Sequence, residues 1–187
     1  MNKLPLRTLL CAVALLVASS GVMQASAISG SMPLVVFSAT QNGANLQSST
    51  MESAVQSLTT GPGLGDFSVI PLMTPFGSVA LDNLTVASGG GFSFSNGAYG
   101  SFVATGGSIL TQTSNFLNVN LTGIFDPGLG IPGVSPSSAI VHLSFNQTGQ
   151  SLSGSYTLAT VPEPGALGLL GSGLLACATR LRRSRSV

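Results

Sequence analysis

All six basic residues of this chain lie at its two ends: Lys3 and Arg7 near the start, and Arg180, Arg182, Arg183 and Arg185 near the finish. Residues 28–160 contain no Lys or Arg and four acids, Glu52, Asp66, Asp82 and Asp126. An ordinary soluble domain carries about a quarter of its residues charged. A fold built from this interval must wet its surface with neutral groups instead, and it holds 35 Ser or Thr with many Asn and Gln. Hydrophobic residues are 44% of the chain, which excludes the low-hydrophobicity, high-charge composition of disordered proteins. Without basic residues the interval cannot neutralise phosphates, so nucleic acid is excluded as its partner.

The ends are of another kind. Lys3 and Arg7 precede a ten-residue apolar run from Leu9 to Ala18, and Ala25, Ser26 and Ala27 follow as a small-residue site. A basic start, a short apolar core and an A-x-A site in that order predict a secretory signal peptide over 1–27, cut after Ala27. The run is too short to span a bilayer, which takes about 20 apolar residues. Cys11 within it is apolar filler.

At the other end, Val161, Pro162, Glu163 and Pro164 form a stiff extended stretch, because proline fixes its own φ and restricts its predecessor. Fifteen uncharged residues follow, from Gly165 to Thr179, and then the arginines. With Leu181 added and Arg180 and Arg182 snorkelling, the segment approaches the length of a membrane helix. The arginines favour the cytoplasmic side, which puts the body outside.

The Pro-Glu-Pro triplet, the Gly/Leu-rich segment and the basic tail, in that order over residues 161–185, resemble a PEP-CTERM sorting signal. The resemblance implies export, and processing by exosortase, a membrane-embedded cysteine transpeptidase of Gram-negative bacteria that make exopolysaccharide. It makes Pro162, Glu163 and Pro164 the sorting motif, and Arg180, Arg182, Arg183 and Arg185 the retention tail. It also implies transient anchoring in the inner membrane, with the mature protein in the cell envelope, extracellular matrix or biofilm. These are features of a substrate.

Within 28–160 the dominant period is two. Leu117, Val119 and Leu121 alternate with Asn118, Asn120 and Thr122. Val141, Leu143 and Phe145 alternate with polar residues, as do Leu152, Tyr156 and Leu158 with Gly154 on their side. Such strands bury one face in antiparallel sheets. Shorter strands are expected over 34–38, 67–73, 79–86, 92–95, 101–105 and 108–113, with hairpin turns at 147–150 and at Asn96-Gly97. Gly89 to Gly91 and Gly106-Gly107 read as breaks, and 126–138 as a Pro/Gly loop. Eight or nine short strands indicate a sandwich or barrel. The expected body is an all-β, small antiparallel β-sandwich of jelly-roll or Ig-like type over 28–160, followed by a sorting and anchor segment over 161–187. One helix is expected: Ser49 and Glu52 match a capping box, with Met51, Val55 and Leu58 at helical spacing.

Little in the body suggests chemistry. His142, the sole imidazole, lies on the polar side of an alternating strand and reads as a solvated residue. The four acids are scattered, three of them beside turn residues, so turn and surface roles are expected for all four. No calcium loop or phosphate-binding loop is present. Three N-x-[ST] sequons, at Asn83, Asn120 and Asn146, are incidental in so Asn- and Thr-rich a chain. The expectation is an exported structural or adhesive protein near exopolysaccharide, with no catalytic residue, metal or cofactor. The alternative is a surface-anchored carbohydrate-binding module. Exposed aromatic platforms would favour it, but the body holds no Trp and, as tyrosines, only Tyr99 and Tyr156, and Tyr156 is expected on the core face.

N-terminal sequencing of the exported protein is expected to begin at Ile28; a start at Met1 would end the signal-peptide reading.

Overall fold

Runs with an apolar residue at every second position become strands that bury one face. The computed structural model describes residues 26–161. Its strands in chain order are β1 (Ser26–Ala27), β2 (Gly30–Gln41), β3 (Met51–Thr59), β4 (Leu64–Gly65), β5 (Val79–Asp82), β6 (Ser93–Asn96), β7 (Gly100–Gln112), β8 (Phe116–Pro127), β9 (Val134–Ser135), β10 (Ser137–Thr148) and β11 (Ser151–Thr160). Two 3₁₀ turns lie at Asp66–Val69 and Asn83–Ser88.

Nine strands form one antiparallel sheet in the order β5-β3-β2-β11-β10-β8-β7-β6, with β4 on β2. Successive long strands pair as hairpins, and β11 pairs with β2 to join the two ends of the chain, Tyr156 opposite Leu34. The result is an up-and-down barrel, closed except along a seam between β5 and β6. Three hydrogen bonds cross that seam: Asp82 N to Gly90 O at 2.8 Å, Ser95 N to Phe76 O at 3.1 Å and Asn96 Nδ2 to Pro75 O at 2.8 Å. The body is therefore all-β, as expected. It is one coiled ladder in meander order rather than the jelly-roll or Ig-like sandwich expected, because the long-range β11–β2 pairing lets one sheet cover its own apolar face.

Several local expectations are corrected. The helix expected from Ser49 to Leu58 is strand β3, with Met51 opposite Asp82 on one side and Leu34 opposite Thr59 on the other. Its inward residues are Glu52, Ala54, Ser57 and Thr59, mostly polar, so the period of two was hidden. The strand expected over 67–73 is a 3₁₀ turn and loop; Phe67 turns inward onto Phe125, with ring centroids 5.2 Å apart. The strand expected over 79–86 stops at Asp82, whose carboxylate accepts from Leu84 N and caps the second 3₁₀ turn. Gly106 and Gly107 lie within β7 at a bulge, not at a break. A Cβ on Gly107 would fall 2.6 Å from the Asn120 carbonyl, so only glycine lets the strands close there. The loop expected over 126–138 gives up its ends to β8 and β10, and holds β9, which pairs in parallel with β1.

The core runs down the barrel axis. Phe94 contacts Phe76, Phe92, Phe102 and Tyr156, with centroids 5.1 to 6.1 Å apart. Phe67 and Phe125 close one end, here the base, where β2 begins and β11 ends. Leu46 closes the other, the top: its N–H donates to Gln147 Oε1 at 3.1 Å and its carbonyl accepts from Gln112 Nε2 at 2.8 Å.

Gly123 faces the interior, where an added Cβ would sit 2.1 Å from the Val103 carbonyl oxygen. Gly123→Ala is expected to cost about 1–3 kcal/mol or more through overpacking. Thermal denaturation should show a midpoint several degrees lower, while Gly97→Ala, with nothing within 4 Å of the new methyl, leaves it unchanged.

Candidate functional site

The last strand hands the chain to the sorting segment at the base of the barrel. Thr160 pairs with Ala139, and its hydroxyl accepts from Gly30 N at 2.8 Å and donates to Gly30 O at 3.2 Å. Val161 N donates to Ser138 O at 2.9 Å. The next residue, Pro162, has no N–H, so the ladder has to stop there. The motif thus starts one residue beyond a fixed point. Pro162, Glu163, Pro164, the four tail arginines and Ala25 lie outside the described residues, as do the apolar run of the expected signal peptide and the expected membrane helix. Ala27 is described, in β1. The peptide bond after it precedes Ile28, which is buried and whose N–H donates to Ser135 O at 3.4 Å.

The outer wall of β8, β10 and β11 is a neutral polar ladder. Asn120 stands beside His142 and His142 beside Thr157; one step along, Asn118 stands beside Ser144 and Ser144 beside Ser155. His142 is exposed, and its Nδ1 hydrogen-bonds Asn120 Oδ1, as a solvated strand residue would. The sequence had placed these side chains on the polar face. What it did not show is that they fall side by side across three strands. Amides and hydroxyls so spaced can donate to and accept from sugar hydroxyls without a strong field.

The seam adds two clefts that no sequence pattern signalled. One, of about 500 Å³, is lined by Ser38, Thr40, Ser53, Ser78 and Ser93 with Val55. The other, of about 460 Å³, shares Ser78 and Ser93 and continues past Phe76, Ser95 and Val103. Both arise because β5 and β6 are four residues long and meet only at their ends. Neither is lined by an acid or by His142.

Of the four acids, three fit the turn and surface roles expected. Asp66 accepts from Ser29 N at 2.7 Å, Asp82 caps a turn, and Asp126 is exposed near the end of β8. Glu52 does not: it is fully buried at the top of the barrel. Asn83 Nδ2 donates to its Oε1 at 3.1 Å, while Glu52 Oε2 and Asn83 Oδ1 are buried with no hydrogen-bond partner. Burial pushes the Glu52 carboxyl up from its ordinary value, and the nearby Ser49 hydroxyl and Asn83 amide offset this only in part. A neutral carboxyl suits an interior site. The Tyr156 hydroxyl is also pushed up by burial, and it donates to Ser57 Oγ at 2.7 Å. It is a core post, not a sugar platform. Tyr99 is half-buried in the turn between β6 and β7. Among the described residues no three His, Cys, Asp or Glu side chains gather where they could hold a metal ion.

Residues 160–184 match the family model of the PEP-CTERM protein-sorting motif. No curated protein and no solved structure matches the chain. The motif implies an exported protein of the envelope or surface, with exosortase as its processing partner.

Glu52 generates a pH prediction. Its folded carboxyl holds a proton more tightly than the unfolded one, whose ordinary value is 4.5. Its contribution to stability is fully present below that value and is lost as pH rises through the raised folded value. The difference in melting temperature between wild type and Glu52→Gln is therefore expected to move against wild type as pH is raised from about 4.5. A difference that stays constant with pH would show that the buried carboxyl does not titrate there.

Proposed function

From a chain whose PEP-CTERM sorting motif is rooted at the last strand of a neutral barrel, we propose a structural or adhesive protein without catalytic activity. It is exported, anchored briefly in the inner membrane of a Gram-negative bacterium, cut by exosortase, and left in the envelope or matrix beside exopolysaccharide. The observation that carries this reading is the abrupt stop of the ladder. Val161 is bonded to Ser138, and Pro162 cannot pair. The motif therefore begins where backbone pairing with the sheet ends. The arginine tail holds the segment on the cytoplasmic side. The neutral ladder of Asn120, His142, Ser144 and Thr157 supports a role beside sugars, since hydroxyls and amides match their polar groups and strong charge is missing.

A second reading, a surface-anchored carbohydrate-binding module, is favoured by one feature, the hydroxyl-lined cleft of about 500 Å³ at the seam. Burial of the Tyr156 ring counts against it, because sugar modules stack their ligands on exposed aromatic rings.

Two outcomes are expected. Changing Pro162, Glu163 and Pro164 to alanine leaves export and folding intact but blocks C-terminal trimming, so mass spectrometry finds a membrane-bound form with its Arg tail. If the triple variant is trimmed like wild type, or trimming persists without exosortase, the segment is only an anchor. The mature protein is expected to be retained on native extracellular polysaccharide. Loss of retention in Ser53→Leu with Ser93→Leu would favour the cleft, and loss in Asn120→Leu with His142→Leu the ladder.

A further inference from the structure

The two ends of the barrel show solvent very different surfaces. At the top, the loops 42–50, 83–92, 113–115 and 149–150 are rich in Asn, Gln, Ser, Thr and Gly and keep Leu46, Val86 and Phe92 buried, and Leu84 is the one large hydrophobic exposed in them among the described residues. At the base, segments 60–78 and 128–136 expose Leu64, Val69, Leu72, Met73 and Leu129, with Leu129 97% and Leu64 67% exposed. Across those segments and the turn 97–99 the one charged side chain is Asp66, already bound by Ser29. Apolar tips gathered at one end and left in water mark an interaction surface.

The chain itself indicates what covers them. Val161 leaves the barrel at this same end, fixed to Ser138. Only Pro162, Glu163 and Pro164 separate it from the apolar segment that begins at Gly165. The four steps from Val161 to Gly165 reach at most about 14 Å. While that segment sits in a bilayer, the base cannot stand farther from the membrane than this. Leu129 is carried on a held loop: Gly130 N donates to Ala98 O at 2.7 Å, and the Tyr99 ring packs against Gly130. Tyrosine near such a surface suits the headgroup level, where amphipathic rings collect.

We propose that the base of the barrel is a lipid-contacting face, with Leu129, Leu72 and Met73 entering the interfacial layer while the precursor is anchored. This rests on the membrane-anchor part of the function proposed above. The contact is hydrophobic, not electrostatic, since the base has no basic residue, and salt does not release it.

The test uses the full chain in phosphatidylcholine vesicles, with Cys11→Ser and Cys177→Ser, and single cysteines Leu129→Cys, Leu72→Cys or Leu84→Cys carrying an environment-sensitive fluorophore. Nitroxide lipids are expected to quench the fluorophores at 129 and 72 roughly two-fold or more and to leave 84 unchanged, with or without salt. Equal quenching at 129, 72 and 84 in chains that float with the vesicles would overturn the lipid-facing base while leaving the anchor reading intact. Chains that fail to float would overturn the anchor reading and this inference with it. Two base positions are used so that a local folding defect at one does not decide the result.

Discussion

The contact that the rest of the structure depends on crosses the barrel interior, from Tyr156 on β11 to Phe94 on β6. The rings lie 5.1 Å apart, and the Tyr156 hydroxyl reaches past β2 to Ser57 on β3. Tyr156 stands mid-sheet, Phe94 on an edge strand and Ser57 beside the other edge. One residue therefore ties both margins of the sheet to its centre. Aromatic pairs add about 0.5–1.5 kcal/mol to their burial, and the buried hydroxyl has its partner. Without that post, the short edges β5 and β6, joined by a few hydrogen bonds, would have little to hold them together.

Closure has a second effect. A sheet that buries one face on itself leaves the other to solvent, and this chain covers much of that face with hydroxyls and amides, among which Val55, Val103, Leu110 and Ile124 stand exposed. The outside is thus largely polar but nearly uncharged. The same economy of charge makes the exception plain: Glu52 is inside, among Ser49, Asn83 and the glutamines that hold Leu46. Its burial ties the top of the barrel to pH, whereas the base is tied to the chain ends.

Both described chain ends lie at the base, because β2 starts and β11 finishes there. That follows from eight principal strands in meander order, an even number. The sorting segment therefore attaches at the same end as the described N-terminus, away from the polar top. Leu64, Leu72 and Leu129 stand exposed at the base, against Leu84 alone in the top loops, which agrees with that direction.

By itself the sequence determined the addressing and the class of the body. The sorting motif is legible because its parts are local: Pro-Glu-Pro, an apolar run and arginines, in order and needing no fold. The all-β class is legible in β8, β10 and β11, whose alternation is unbroken, and so is the hairpin at 147–150. Only the tertiary structure decided the rest. Met51, Val55 and Leu58 read as a helix because β3 turns polar Glu52, Ser57 and Thr59 inward, and only the neighbours β2 and β5 make that acceptable. The closing pair of β2 with β11 joins residues more than a hundred positions apart, and no local pattern encodes such a partner. The seam clefts, the buried carboxyl of Glu52 and the apolar base all depend on that closure. Each is a property of which segments meet, and a periodicity reports only which way a side chain faces.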